Sequence, residues 1–366
     1  MPDPAVPRPV ALEPNCPPRF FAGGAAIAQW RGLPDVGGPE DWVASTTPVF
    51  GQAAVGLTRL PDGTLLRDAI AADPVGWLGA QHVAAWGADP ALLVKLLDAG
   101  QRLPLHCHPD RGFARRHLGS RWGKTEAWVV AGAEGPRPVV HLGFRAEMPA
   151  RELATLVSEQ RTDELLAATN PVPVAPGDVV LVPAGLPHAI GAGVFVIELQ
   201  EPSDLSVLLE WDGFGVDGPA EGHLGVGFGT ALQAVDRSRW DARRLAGLTA
   251  RRPPDPGTPN GVDVLLPESA DPFFRAEHLR PAGGPVRLDP GYSVLAVLAG
   301  TGTLSSERCG DQPLHAGQVV LVPHGAGALS VSGDTRVLRC RPPDHEHADV
   351  GGTGMRSVDA EPVNRQ

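Results

Sequence analysis

The residues best suited to chemistry sit in HCHPD at His106 to Asp110, GKTEAW at Gly123 to Trp128 and PAGLPHAIG at Pro183 to Gly191. These segments offer three imidazoles and a carboxylate, His106, His108, His188 and Glu126, to one divalent cation. His106 and His108 are two residues apart, so a strand through QRLPLHCH turns both rings to one face and Cys107 to the other. Between the first two segments lie Arg115, Arg116, Arg121 and Lys124, a basic patch that could receive a phosphate or a carboxylate.

Elements of a particular kind must bring these segments together. The chain has 366 residues, 42% of them hydrophobic, with 45 glycines and 39 prolines punctuating short apolar runs, a pattern of many short strands and tight turns. The expected class is mainly β with a few short helices. A formal net charge of -11 argues against nucleic acid or an anionic membrane as a partner, because phosphate surfaces are bound through clustered Lys and Arg. No run approaches the ~20 apolar residues of a membrane span, and the opening MPDPAVPRPVALEPN has no signal-peptide core, so a cytoplasmic protein is expected. The cysteines at 16, 107, 309 and 340 have neither metal-binding nor redox spacing and read as reduced thiols.

An internal repeat appears when GDVVLVPAGLPHAIGAG from Gly177 is laid over GQVVLVPHGAGALSVSG from Gly317, with TEAWVVAG from Thr125 over SVLAVLAG from Ser293. In that alignment Glu126 faces Val294 and His188 faces Ala328. The second copy has no histidine to match His106 or His108, so any metal chemistry is expected in the first half only. Helices are expected in Leu65 to Gly100, broken at Pro74 and Pro90, in Pro149 to Asn170, and as a linker in Ala231 to Leu248. The Pro-rich RRPPDPGTPNG that follows reads as a hinge, which divides the chain into a metal-bearing domain, 1–250, and a second domain, 251–366.

The glycine and histidine spacing of the first half resembles cupin barrels. The ordered series HPD, GKTEAW, HLGF, PHAIG and IELQEPSD is similar to the type I phosphomannose isomerases, in which HPD, GKTE, GF, HAIG and EIQ with SD recur in this order. EDW at Glu40 to Trp42 matches an N-terminal motif of the same family. The resemblance implies two cupin (jelly-roll) β-barrels, the second degenerate, and a metal-dependent aldose to ketose isomerase converting mannose 6-phosphate to fructose 6-phosphate. It implies zinc as cofactor, held by His106, His108, Glu126 and His188. It also implies Glu198 as catalytic carboxylate and Lys124 in catalysis or at the substrate phosphate. Arg121 and Asp110 are further candidates for holding substrate, and the molecule is expected to be a monomer or homodimer.

Two positions depart from the family. His106 stands where the family carries a glutamine ligand, which moves the set towards the three-histidine, one-carboxylate shell of other cupins that also hold iron, manganese or nickel. Leu208 stands where the family carries an arginine. A cupin dioxygenase or decarboxylase and a non-catalytic sugar-binding cupin are therefore the competing expectations. The remaining histidines stand alone, apart from His345 and His347, a second HxH with no carboxylate strand to match it.

Overall fold

Apolar runs such as VVLV at 179–182 and VFVIELQ at 194–200 are bounded by glycine or proline and are buried on both faces, so they form interior strands. The computed structural model describes residues 6–250 and 261–347. Its strands lie in three sheets. In the first half, a six-stranded sheet runs in the order Thr249–Ala250, Val179–Val182, Glu126–Ala133, Val194–Gln200, Leu93–Asp98, Glu40–Val43. A five-stranded sheet with the order Val207–Leu208, His106–Cys107, His188–Ile190, Val139–Phe144, Thr169–Pro173 completes the barrel. An eight-stranded sheet holds the strands from Gly261 to Arg341. Its edge is the N-terminal strand Val10–Ala11, which pairs with Leu321 and Val320 and so ties the start of the chain to the second half.

Alternation along each strand divides its side chains between two cores. In the first barrel Glu126, Trp128, Val196 and Glu198 point inward. The intervening Ala127, Val129, Ile197 and Leu199 share one apolar cluster with Val294, Ala296, Leu321 and Leu338 of the second half. Burying each such Val, Leu or Ile is worth about 1.5–3 kcal/mol, enough to hold the halves together through their outer faces. Leu295, Val297, Val320, Val322 and Val337 fill the interior of the second barrel.

Paired registers align the two halves more strictly than the sequence repeat does. Corresponding strands each carry one extra residue, Ala131 of Glu126–Ala133 opposite Phe195 and Val196, and Leu298 of Ser293–Ser306 between Val297 and Ala299. Glu126 pairs with Val182, and Ser293 pairs with Val322. The counterpart of Glu126 is therefore Ser293, one residue before the Val294 that the sequence alignment suggests. The same registers match Glu198 with Arg339 and Lys95 with Glu277.

The expected helices are found in part. Leu66–Ala72, Pro74–Leu78 and Ala80–Trp86 are helical, but ALLVKLLDAG after Pro90 is the strand Leu93–Asp98. Ala150–Ser158 and Thr162–Ala168 form as expected, with Leu153, Leu156, Val157 and Leu165 buried. The linker helix does not form as one piece. The Asp236 carboxylate accepts from the backbone and hydroxyl of Ser238 and from the Trp240 indole, which pulls the chain out of helix until Asp241 caps a short new one at Ala242–Ala246. The Pro-rich hinge at 251–260 lies outside the described residues. No helix among the described residues is long and apolar enough to cross a membrane.

Candidate metal centre

The first-barrel sheets face one another across a small cavity of about 50 Å³. His106 and His188 are paired neighbours on the five-stranded sheet. The expected ligand strand is short, His106–Cys107, because Pro104 has no N–H and the Leu105 N–H donates to the Glu210 carboxylate at 2.8 Å. Two-residue alternation still holds, since Cys107 packs into the apolar cluster behind the sheet while both flanking rings face the cavity. All four cysteines are free, and burial pushes the Cys107 thiol up, so it takes no part.

The three imidazoles are fixed in one tautomer. Nδ1–H of His106 donates to the Pro104 carbonyl, that of His108 to Leu205 and that of His188 to Leu186, each at 2.8 Å. This backbone anchoring leaves every Nε2 as a lone pair. The donor atoms of His106, His108 and His188 lie within 4.8 Å of one another, and all three residues are buried. Burial, reinforced by the neighbouring imidazoles and Lys124, holds His106 well below its ordinary value. Burial and Lys124 push His108 down to about 3 against the opposing pull of Glu126.

Glu126 meets these lone pairs from the opposite sheet. Its Oε2 is 3.1 Å from His108 Nε2 and its Oε1 is 3.2 Å from His188 Nε2. With Nδ1 given to a carbonyl, a neutral ring has no proton for either contact, and His188 Nε2 is buried without a hydrogen-bond partner. Buried acceptors facing acceptors are costly unless a cation lies between them. The Lys124 ammonium answers the same demand, with Nζ 2.9 Å from His108 Nε2 and 3.0 Å from Glu126 Oε2. Burial alone would lower Lys124, but Glu126, Glu198 and Asp204 outweigh it and hold the ammonium charged. The residues present thus fit a metal ion: a His106, His108 and His188 group able to hold one, with a carboxylate beside it.

Glu198 lies two residues from Gln200 on the strand that pairs with Glu126, so its carboxyl also faces the cavity. Burial and the neighbouring Glu126 charge push it up to about 8, against the opposing Lys124 and Lys95. Lys95 Nζ is 3.7 Å from Glu198 and 3.5 Å from Glu40, and lies over the Trp42 ring at 4.5 Å. Arg19 reaches in from the N-terminal segment, with Nη1 and Nη2 at 3.2 and 3.4 Å from the two oxygens of Asp204 and Nε at 3.3 Å from Glu40.

Arg19 and Lys95 are the cavity residues that the sequence reading missed. Lys95 did leave a signal, a lone charge in the middle of the apolar run LLVKLLD. Arg19 left none beyond its place before two phenylalanines.

The other expected substrate residues lie elsewhere. Asp110 caps the turn Arg111–Phe113, accepting from the Phe113 N–H at 2.6 Å, an ordinary use of Asp at a helix start. The Arg121 guanidinium lies on the Trp122 ring at 4.6 Å and donates to the Trp86 carbonyl, held outside the cavity by stacking. Of the basic patch, Lys124 alone lines the cavity. Leu208 lines it too, paired with His106.

The motif segments brace one another. Glu201 accepts from Arg111 Nε at 2.5 Å and from the Thr125 N–H at 2.8 Å, while the Ser203 hydroxyl donates to the Gly123 carbonyl at 2.6 Å. Gly123 is required by close approach, since a Cβ there would lie 2.6 Å from the Arg111 nitrogen. EPSD is thus the clamp that fixes the turn carrying Lys124 and Glu126.

No protein-family model matches the chain. It is 37% identical over 118 residues to mannose-6-phosphate isomerase ManA of Bacillus subtilis and 36% identical over 135 residues to mannose-6-phosphate isomerase of Streptococcus mutans. These matches cover 32% and 36% of this chain, and span 36% and 41% of those two proteins. In fold the likeness covers far more. The mannose 6-phosphate isomerase structure from Bacillus subtilis superimposes with a TM-score of 0.70 at 19% identity, over 92% of this chain and all of that one. A single-residue variant of phosphomannose isomerase from Salmonella typhimurium gives 0.66 at 16% identity, also over 92% of this chain and all of that one. The chain has the cupin fold found in the phosphomannose isomerases, and it shares with curated mannose-6-phosphate isomerases a stretch of clearly related sequence.

Proposed function

We propose that the chain is a metal-dependent aldose–ketose isomerase acting on a sugar or sugar phosphate, with the mannose 6-phosphate named for its relatives as the reference substrate. In this reading His106, His108, Glu126 and His188 hold one zinc ion in the first domain, 1–250, and no such ligand group lies among the described residues of the second domain, 251–366. The observation that carries the reading is the gathering of three buried imidazoles whose donor atoms lie within 4.8 Å of one another, two of them against the Glu126 carboxylate. Three nitrogens and one oxygen suit zinc, which is redox-silent and so fits proton transfer. When bound, the ion supplies Lewis-acid stabilisation of negative charge on neighbouring sugar oxygens.

The proton work falls to the protein. Isomerisation carries a proton between C1 and C2 through an enediolate, and a carboxyl poised near neutrality can accept it and return it. Glu198 is that group, buried, facing the cavity and free of a hydrogen-bond partner at Oε2. Lys124 stays charged and donates to a substrate oxygen as negative charge develops. Trp128 donates its indole N–H to Glu126 Oε1 at 3.1 Å and steadies the carboxylate.

The test is interconversion of an aldose and its ketose by the zinc-loaded protein. Turnover lost on chelation and restored by zinc is the expected result. In the same assay Glu198→Gln should keep its metal while kcat falls by about 10²- to 10⁴-fold. Oxygen consumption with iron or manganese and no isomerisation would overturn the reading in favour of a dioxygenase.

A further inference from the structure

The cavity contains several cations, but away from the metal ligands none among the described residues is left over to meet an anion. Arg19, Lys95 and Lys124 line it; Arg19 and Lys95 are committed to buried carboxylates, and Lys124 stands among the metal ligands, where the proposed reaction uses it. Arg19 is held by both oxygens of Asp204 and by Glu40. Lys95 lies between Glu40 and Glu198, and Lys124 lies against Glu126. Glu40 and Asp204 are both kept ionised: burial would raise them, but Arg19 and Lys95 outweigh it. These pairs are structural commitments, because withdrawing Arg19 towards a ligand would strand two buried charges.

Away from the metal ligands the rest of the wall is mostly apolar, with the Ser206 hydroxyl, 3.3 Å from His108 Nδ1, as its polar exception. Phe20, Phe21, Leu103, Ile190 and Leu208 line the same cavity. Leu208 stands on the strand next to His106, and its own N–H is already given to the Gly222 carbonyl at 2.9 Å. A phosphate dianion entering such a space must exchange its hydration for charge-assisted bonds, and it needs several donors that are not otherwise engaged. Arg121, the outside candidate, is held on Trp122 and Trp86. A neutral sugar makes no such demand. Its hydroxyls can share donors and acceptors with the paired groups, and its apolar ring face can lie against Phe20, Phe21 and Leu208.

We propose that the cavity selects an unphosphorylated sugar, so that the reaction is the interconversion of a free aldose and its ketose. This inference rests on the isomerase reading above and narrows its substrate class. The experiment compares kcat/KM of the zinc-loaded full chain for D-mannose and for D-mannose 6-phosphate, with inorganic phosphate as a competing anion. The expected result is a preference of at least about tenfold for the free sugar, with no competitive inhibition by millimolar phosphate. A preference for the 6-phosphate overturns the inference and leaves the isomerase reading standing. Turnover of neither substrate, with other aldose–ketose pairs also inert, overturns both.

A second arm uses Leu208→Arg, which places an uncommitted guanidinium in the apolar wall. It should shift the ratio of the two kcat/KM values towards the phosphorylated sugar by at least about tenfold. An unchanged ratio in a folded variant counts against the inference. The wild-type ratio decides the matter by itself if that variant fails to fold.

Discussion

The two barrels place a charged pair at the same point of the same lattice, with the signs exchanged. In the first, Lys95 pairs across the sheet with Glu198; in the second, Glu277 occupies the lysine position and Arg339 the glutamate position. The surroundings differ in a way that explains why chemistry is expected in one barrel alone. Continuing the register of Leu288 and Leu329 by one residue sets Asp289 opposite Ala328, where the first barrel has His106 opposite His188. Arg339 Nη1 is 2.9 Å from Asp289 and 3.2 Å from Glu277, and Arg341 bonds the second oxygen of each acid. In the second barrel Glu277 and Asp289 are each answered by two guanidiniums, and no group of metal ligands converges there among the described residues. In the first, three imidazoles and a carboxylate are left facing one another. A shared fold thus carries a buried ionic centre in both halves, and the surplus of acceptors over protons separates a metal site from a closed ion cluster.

The most damaging way to break this comparison is to remove the surplus. Glu126→Gln and His188→Ala should each cost most of the bound metal, read as metal per chain after dialysis, while Ser293→Ala at the counterpart position leaves it unchanged. Ser293 has no contact with the metal residues, because the barrels share an apolar cluster and the second half reaches the site's clamp only near Pro272 and Phe273, against Arg111. Full metal retention in Glu126→Gln would remove the carboxylate from the proposed set.

A smaller effect is expected from opening the closed cluster. Arg339 is 1% exposed, so Arg339→Leu leaves Glu277 and Asp289 to Arg341 alone. Breaking a buried pair costs about 3–5 kcal/mol, and the half-exposed Asp289 side chain places the expected loss near the lower end. Thermal or denaturant unfolding would measure it. Metal content of the folded fraction should not change, and a parallel loss of metal would show that the second barrel supports the first site.

How far these features were legible in the sequence depended on the range of the interaction. The HxH spacing, the GKTE and HAIG segments and the repeat are local patterns, and they pointed to the residues that the fold does gather. Lys95 was hidden because ALLVKLLDAG is apolar on every face and satisfies a helical spacing as well as a strand. Only pairing with Glu40–Val43 and Val194–Gln200 makes it a strand and turns the lysine inward. The offset between Glu126 and Val294 had a similar origin, because matching the AG dipeptides outweighed the inward alternation that pairs Trp128 with Leu295. Arg121 lies off the cavity for the opposite reason: its charge is visible in the sequence, but Trp86, which holds it together with the adjacent Trp122, comes from a distant segment.

The smallest expected effect sharpens the comparison at its simplest level, because the chain spells HxH twice. His106 and His108 flank a strand residue and share a face, each with a carbonyl holding Nδ1. Residues 345–347 form a 3₁₀ turn, whose backbone does not repeat every two residues, and half-exposed His345 has Nδ1 2.7 Å from Asp344 rather than from a carbonyl that would fix its tautomer. A solvated pair of this kind contributes less than about 1 kcal/mol. His345→Ala should therefore leave metal content and turnover at wild-type levels and move the unfolding midpoint little. A drop in metal content would mean that the spelling matters independently of the strand beneath it, and the argument from alternation at His106 and His108 would lose its force.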